Sequence, residues 1–139
     1  MHACAEASQA ELEAALTSVG RLPTYRELRP AQTGLVMLRG RIGGDGPAFN
    51  VGEATVTRAA VQLESGTVGL SYLLGRSQQR AALAAIIDAL GQESATHRER
   101  LVAALVVPVT ARREADEARR RAETAATRVN FFTLVRGED

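Results

Sequence analysis

The period of the hydrophobic residues changes twice along this chain of 139 residues. Helical spacing governs residues 1–20, short alternating runs divided by Gly and Pro fill residues 25–75, and helical spacing returns over residues 77–128. Apolar positions recur about every 3.6 residues in a helix that faces a core and every second residue in a half-buried strand. We therefore expect an α+β fold in which residues 1–139 form a single domain.

The N-terminal segment predicts a helix with a defined start and end. Ser8 and Glu11 fit a capping box, in which the side chain of each residue accepts a hydrogen bond from the backbone amide of the other. Gly20 suits the left-handed turn that ends many helices. The apolar face between them consists of Leu12, Ala15, Leu16 and Val19.

The middle of the chain predicts an antiparallel β-meander of three to five strands. The strands are expected at residues 35–42, 53–63 and 67–74, with residues 25–29 as a candidate for a further strand. In the first, Val36, Leu38 and Ile42 share one face and Leu35, Met37, Arg39 and Arg41 share the other; in the third, one face carries Val68, Leu70, Tyr72 and Leu74. Glu64-Ser65-Gly66 and Gly43-Gly44-Asp45-Gly46 fit hairpin turns, because glycine adopts positive φ.

The C-terminal part of the chain predicts helices that pack with this meander. We expect one helix from the N-cap Ser77 to Gly91, a second over residues 96–106 that Pro108 ends, and a third that Thr110 caps and that runs to about Arg128. The apolar seam of the third consists of Ala111, Ala115, Ala118, Ala122, Ala125 and Val129. Alanine buries little area, so the core should be thin and a partner interface could supply what it lacks.

Composition excludes several classes of function. The net charge is +1, which does not fit a strongly basic nucleic-acid-binding protein. All 17 basic residues are Arg, so a Schiff-base lysine and a P-loop lysine are excluded. Cys4 is the single cysteine, which rules out an intrachain disulfide. No apolar run approaches the roughly 20 residues that span a bilayer, and the first twenty residues lack a leader's apolar core, so we expect a cytoplasmic protein without membrane contact.

The side chains that commonly carry catalysis do not form a catalytic pattern. His2 and His97 lack metal-ligand spacing, Cys4 has no basic neighbour apart from His2, and Asp88 lies off the apolar stripe of its helix. We therefore assign no catalytic residue and no metal ligand, and a stand-alone enzyme is disfavoured.

Arginines in the meander are the candidates for phosphate or phosphonate binding. Arg39 and Arg41 project from one face of a strand, and Arg58 and Arg76 lie on or beside neighbouring runs. Convergent guanidinium groups bind phosphate through paired, charge-assisted hydrogen bonds. The alternative, ordinary solvated or ion-paired arginines on an open sheet face, stays open.

Residues 129–139 are predicted to form an extended, partner-binding tail. The candidates for partner contact are Phe131, Phe132, Leu134 and Arg136. A β-prone aromatic segment must bury its side chains, either as an edge strand of its own sheet or by insertion into a partner. Both alternatives stay open.

Several segments together resemble a known family. Glu53–Leu63 (EATVTRAAVQL) and Arg128–Gly137 (RVNFFTLVRG) resemble the PhnG family, the G subunits of the bacterial carbon–phosphorus lyase system. Shorter matches follow the same order at Thr33–Val36, Arg41–Gly44 and Ile87–Leu90. The resemblance extends from about Tyr25 to Arg136.

This resemblance implies a supporting, non-catalytic subunit of a transferase in organic phosphonate catabolism. With the H, I and L proteins, such a subunit serves to transfer the ribose triphosphate of MgATP onto an alkylphosphonate and release adenine, forming α-D-ribose 1-methylphosphonate 5-triphosphate. The isolated chain is expected to have no activity and to bind no cofactor.

The resemblance also implies a set of partners. They are the H, I and J subunits, with the I subunit in the closest contact, and the K and L proteins, which resemble ATP-binding cassettes; the iron–sulfur cluster and S-adenosylmethionine belong to the J subunit. The alternative to this function is a small Arg-rich regulatory or nucleic-acid-binding module.

Overall fold

The structure is a computed structural model and describes residues 2–127. The chain begins with two short helices, α1 (His2–Glu6) and α2 (Gln9–Val19). The predicted capping box is confirmed: Ser8 N–H donates to Glu11 Oε2 at 2.7 Å, and Glu11 N–H donates to Ser8 Oγ at 3.2 Å. The hydrogen bond from the Ser8 amide is the main reason why the pKa of Glu11 lies below its usual value.

Three antiparallel strands form one sheet, which confirms the α+β class. They are β1 (Tyr25–Arg41), β2 (Ala48–Leu63) and β3 (Val68–Leu74), in the order β1-β2-β3. The strand considered at residues 25–29 is the beginning of β1 and not a separate element, because β1 continues past Pro30 through shifts in its register with β2. Proline is tolerated there since β1 is an edge strand and its outer side needs no hydrogen-bond donor.

The predicted glycine turns join these strands. Gly43 and Gly44 have φ of 66° and 86° in the β1–β2 turn, and Gly66 has φ of 91° in the β2–β3 hairpin. The second hairpin closes where Leu63 N–H donates to the Thr67 carbonyl at 2.9 Å.

The first long helix, α3 (Gln78–Glu93), is longer than predicted. Ser77 caps it as expected, with its hydroxyl accepting from Arg80 N–H at 3.3 Å. The prediction that Gly91 ends this helix is wrong. Gly91 lies inside α3, where the Arg98 guanidinium donates to its carbonyl at 2.8 Å, and the chain becomes extended only at Ser94, which caps the next helix.

The predicted break at Pro108 is also wrong. The next helix, α4 (Ala95–Leu101), continues through a π-helical turn at Val102–Val106 into α5 (Val107–Ala126). Val107 N–H donates to the carbonyl of Val102, five residues back, and this wider turn precedes the proline. Proline breaks a regular α-helix because it lacks an N–H and its ring meets the carbonyl four residues back. The π-helical turn accommodates that mismatch, so Pro108 occupies the first turn of α5 and Thr110 lies within α5 rather than capping it.

The core lies between α3 and one face of the sheet, with α2 and α4 against the other side of α3. Helix α3 packs closely against the backbone of β3 at Gly69. A Cβ added there would overlap the Ala85 carbonyl and come within 2.7 Å of the Ala89 Cβ. Among the described residues the buried core is aliphatic, without an aromatic side chain, and rich in alanine, as the composition predicts. Its alanines are Ala7, Ala15, Ala59, Ala81, Ala84, Ala85 and Ala89.

The remaining sequence predictions for this region have mixed outcomes. The alanine seam of α5 is largely exposed, and only Val109 of that helix is buried. The tail at residues 129–139 and its candidates Phe131, Phe132, Leu134 and Arg136 lie outside the described residues. Over residues 2–127, no helix combines the length and apolar character that crossing a bilayer requires.

The contact at Gly69 predicts an asymmetry between two strand glycines. Gly69→Ala should lower the free energy of unfolding by about 1–3 kcal/mol, because the new methyl group overlaps the backbone of α3. Gly34→Ala is the matched control, since nothing lies within 4 Å of its Cβ position. We expect it to be neutral or slightly stabilising, because glycine weakens a strand. Urea unfolding followed by circular dichroism measures both; equal effects would contradict the packing.

The structure also predicts an unreactive thiol. Cys4 lies on α1 with 3% of its surface exposed, and burial raises its pKa. Because the thiol is harder to deprotonate in the folded chain than in the unfolded chain, the free energy of unfolding should be unaffected by Cys4 below the ordinary thiol pKa. It should decline as the pH rises above that value. At pH 8 the native chain should react with a disulfide reagent much more slowly than the chain in 8 M urea. Equal rates would show that Cys4 is accessible.

Candidate functional site: an open sheet face and a two-stranded arm

The third strand buries two small residues and one leucine on its inward face and exposes three large apolar side chains on its outward face. Gly69, Ser71 and Leu73 are buried, and Ser71 Oγ donates to the Ala81 carbonyl of α3 at 2.7 Å. The opposite face carries Leu70, Tyr72 and Leu74, which are 57%, 54% and 73% exposed. The predicted alternation of β3 is therefore confirmed, but its apolar face points away from the helices. We call the sheet surface opposite α3 the open face.

The register of the sheet extends the open face across β2 and β1. Ala60, Arg58 and Val56 of β2 pair with Leu70, Tyr72 and Leu74 of β3, so their side chains share that face. On the other side of β2, residues Arg29, Gln32 and Gly34 of β1 pair with Ala60, Arg58 and Val56 in the same order. These residues therefore share one face of the sheet, on which Arg58 is exposed and Val56 is buried.

Beyond β3, the first two strands continue as a hairpin with no third strand beside them. We call residues 35–55 the arm: Leu35–Arg41 of β1 pairs with residues 48–55 of β2 over roughly 20–25 Å. Against the rest of residues 2–127, most side chains on both faces of the arm are exposed. The exposed apolar side chains on it are Leu35, Met37, Leu38, Ile42, Phe49 and Val51, of which Ile42 is 77% exposed. A two-stranded hairpin is marginally stable in water, so the arm is a poor candidate for a permanently solvated structure.

The four predicted anion-binding arginines are not brought into one cluster. Arg58 lies in the middle of the open face, and Arg76 follows Gly75 where the chain leaves the sheet. Arg39 and Arg41 lie near the tip of the arm, on the side of Leu35 and Met37. Arg39 and the position of Arg58 are separated by roughly 20 Å along β1, at about 3.3 Å per residue.

Hydrogen bonding divides the arginines into two groups. Within residues 2–127, the side chains of Arg29, Arg39, Arg58 and Arg76 make no hydrogen bond or ion pair, whereas Arg41 donates to the Gly46 carbonyl at 3.1 Å. Other arginines serve helix ends. Arg80 donates to Ala5 O, Arg98 to Gly91 O, Arg100 to Val19 O and Arg112 to Glu6 O. Of the strand arginines, Arg29, Arg39 and Arg58 therefore have no side-chain partner within residues 2–127, whereas Arg26 donates to Gln62 Oε1 at 2.6 Å.

A shallow depression lies on the open face beside two of these arginines. Its volume is about 460 Å³, and its walls include Arg29, Arg58, Leu70 and Tyr72. The two guanidinium groups border an apolar floor, an arrangement that suits a carboxylate next to an apolar group. Sequence reasoning singled out Arg58 but missed Arg29, because Arg29 joins it only through the register shifts around Pro30.

Asp88, His97 and His2, which lie outside the sheet, each contact another side chain or backbone group. Asp88 Oδ2 accepts from the Leu70 amide at 3.0 Å and from Gln92 Nε2 at 2.8 Å, so it ties α3 to the outer edge of β3. His97 Nδ1 lies 3.7 Å from Glu93 Oε2, and His2 contacts Arg113. Nothing in the sequence pattern signalled the Asp88 contact. Among the described residues, no three His, Cys, Asp or Glu side chains form a group that could hold a metal ion.

Comparison with known proteins extends over nearly the whole chain. The family model described as "Phosphonate metabolism protein PhnG" matches residues 1–137. A relative from Rhizobium meliloti (strain 1021) is named "Alpha-D-ribose 1-methylphosphonate 5-triphosphate synthase subunit PhnG". It is 52% identical over 139 residues, which is 100% of this chain and 88% of that relative. The match includes both the open face and the arm, and the chain belongs to the PhnG family of phosphonate metabolism proteins.

Proposed function

We propose that this chain is a subunit of α-D-ribose 1-methylphosphonate 5-triphosphate synthase and acts in the catabolism of organic phosphonates. The observation that carries the proposal is its 52% identity, over the full chain, to a relative named as a subunit of that enzyme. The uncovered apolar surface of the sheet and arm supports the same conclusion, because large exposed apolar patches commonly mark protein interfaces.

The proposed reaction joins a phosphonate to a sugar. A phosphonate oxygen forms a bond to C1 of the ribose of MgATP, the glycosidic bond to adenine breaks, and adenine leaves after gaining a proton. The product is α-D-ribose 1-methylphosphonate 5-triphosphate. This chemistry needs groups that hold the triphosphate, orient the phosphonate and protonate the leaving base.

We assign this chain a supporting role in that reaction. Asp88, the carboxylate of α3 that contacts β3, already accepts two hydrogen bonds from the protein, and the cysteine is buried. Groups with these contacts hold the fold together and are poorly placed to exchange protons with a substrate. One buried cysteine also does not fit the several thiolates that an iron–sulfur cluster requires. We propose, as the family resemblance implies, that this cluster and S-adenosylmethionine belong to the J subunit.

The proposed partners are the H, I and J subunits, with the I subunit in the closest contact, and the K and L proteins in the wider system. The L protein is needed with the G, H and I subunits for the transfer step. Arg39 and Arg41 are the groups of this chain proposed to face the triphosphate or the phosphonate, since Arg39 has no partner within the described residues and both lie near the tip of the arm.

Co-expression tests the subunit role. The tagged chain should purify as a stable complex with the H and I subunits, and this complex with the L protein, MgATP and methylphosphonate should release adenine. Leaving out only this chain should abolish adenine release, and the chain alone should release none. Failure of the chain to purify with either subunit would contradict the proposal, as would adenine release by the highly purified chain alone.

Substitution of the arm arginines tests the narrower role. The double variant Arg39→Ala/Arg41→Ala, in the assembled complex, should lower kcat/KM roughly tenfold or more, because each charged hydrogen bond contributes about 1.5–3 kcal/mol. Arg21→Ala is the matched control, an exposed arginine outside the sheet. Unchanged assembly together with unchanged kcat/KM in the double variant would remove these residues from the substrate site.

A further inference from the structure

We propose that the open face, continued onto the same side of the arm, is the docking surface for another protein subunit whose contact area is apolar and bordered by carboxylates. This proposal rests on the proposed function, since it assigns the surface through which the chain joins its complex. It concerns the side of the sheet opposite α3 and leaves the other side of the arm, with Arg39 and Arg41, outside the docking surface.

Strand β3 exposes large apolar side chains on the open face. A strand with one buried face normally places its larger apolar side chains inward and its polar ones outward. Here the inward face of β3 carries Gly69, Ser71 and one large side chain, Leu73. The three large side chains of the outward face, Leu70, Tyr72 and Leu74, are more than half exposed. This orientation cannot be reversed within the chain, because α3 packs directly on the backbone at Gly69. The large side chains must therefore be buried by something outside the described fold.

The open face continues onto one side of the arm. Val36, Leu38 and Ile42 alternate along β1 with Arg39 and Arg41, so they lie on the same side of the sheet as Leu74. Val56, between them on β2, is itself buried. The Val51 side chain covers Gly40 on the same side. The apolar area thus passes without interruption from a three-stranded sheet onto an unsupported hairpin, and a partner that covers one also stabilises the other.

The open face carries arginines, whereas the carboxylates of the described strands lie on the other face of the sheet. Arg26, Arg29 and Arg58 lie on the open face, where their strand partners are Gln62, Ala60 and Gln32. The strand carboxylates Glu27 and Glu53 pair with Val61 and Met37, on the opposite side. The described strands therefore present three arginines and no carboxylate on the open face, although the whole chain has nearly equal numbers of acidic and basic residues. A complementary partner supplies the carboxylates.

The same charges argue against a second copy of this chain as the occupant. Two copies related by a two-fold axis would place the same surface on itself. Arg29 and Arg58 would then meet other arginines, and no carboxylate of the face could pair with them. A nucleic acid is disfavoured as well, because the surface is mainly aliphatic and Tyr72 is the aromatic side chain at its centre.

Paired variants test the docking surface. Leu74→Glu and Arg58→Glu should each weaken co-purification with the co-expressed H, I and J subunits roughly tenfold or more, since they place a carboxylate where the partner presents apolar or acidic groups. The controls are Val107→Glu and Arg21→Glu, which change an exposed valine of α5 and an exposed arginine outside the sheet. We expect both controls to assemble like the wild-type chain.

Folding and assembly are measured separately in this experiment. Each variant is first compared with the wild-type chain by circular dichroism and thermal unfolding. A folded Leu74→Glu or Arg58→Glu variant that assembles normally would overturn the docking surface and leave the subunit role intact. A wild-type chain that joins none of the three subunits would overturn both.

Photo-crosslinking in the intact complex gives an independent test that does not depend on disruptive variants. A photoreactive phenylalanine analogue replaces Tyr72, with the same replacement at Val107 as the control. Crosslinked peptides from another subunit that contain Asp or Glu beside apolar residues would support the proposal. Crosslinks from position 72 to a second copy of this chain, to its own residues 128–139 or to nucleic acid would overturn it, and so would an equal yield at position 107.

Discussion

The packing of α3 on Gly69 determines how the rest of the molecule is arranged. The helix backbone approaches the strand so closely that a side chain at this position would overlap it. That contact selects which face of the sheet is buried, and the Ser71–Ala81 and Leu70–Asp88 hydrogen bonds then hold the helix against the face and the edge of β3. Among residues 2–127, α3 makes most of the helix contacts with the sheet, and Leu70, Tyr72 and Leu74 on the opposite side are more than half exposed.

This one-sided arrangement explains two features that would otherwise conflict. The core is thin, because alanines allow the close approach of helix and sheet but bury little area. Larger apolar residues are present, yet Leu70, Leu74 and Ile42 lie on the outside. A chain of this kind gains from binding a partner the burial that its own fold does not provide. Membership of the PhnG family and the proposed role in a multi-subunit synthase agree with that division.

Features set by local chemistry could be predicted from the sequence, whereas features set by distant contacts could not. The Ser8–Glu11 capping box and the glycine turns depend on neighbouring residues and were predicted correctly. The ends assigned at Gly91 and Pro108 were wrong, because an Arg98 contact and a π-helical turn compensate for residues that usually break helices.

The candidate site shows the same division. The sequence indicates that a guanidinium is present but not which contacts it makes: Arg80 and Arg100 bond helix ends on distant segments, while Arg29 and Arg58 meet only through the strand register. The resemblance to the PhnG family identified the biological context, and the structure was needed to find the surface.

Hydrogen–deuterium exchange of the arm and the open face, measured on the free chain and on the purified complex, tests the account most directly. We expect backbone amides of residues 35–55 and of β3 to exchange much more slowly in the complex, while amides of the distal half of α5 change less. Equal exchange of the arm in both states, in a complex that contains the chain at full occupancy, would contradict the claim that this surface joins the chain to its partner.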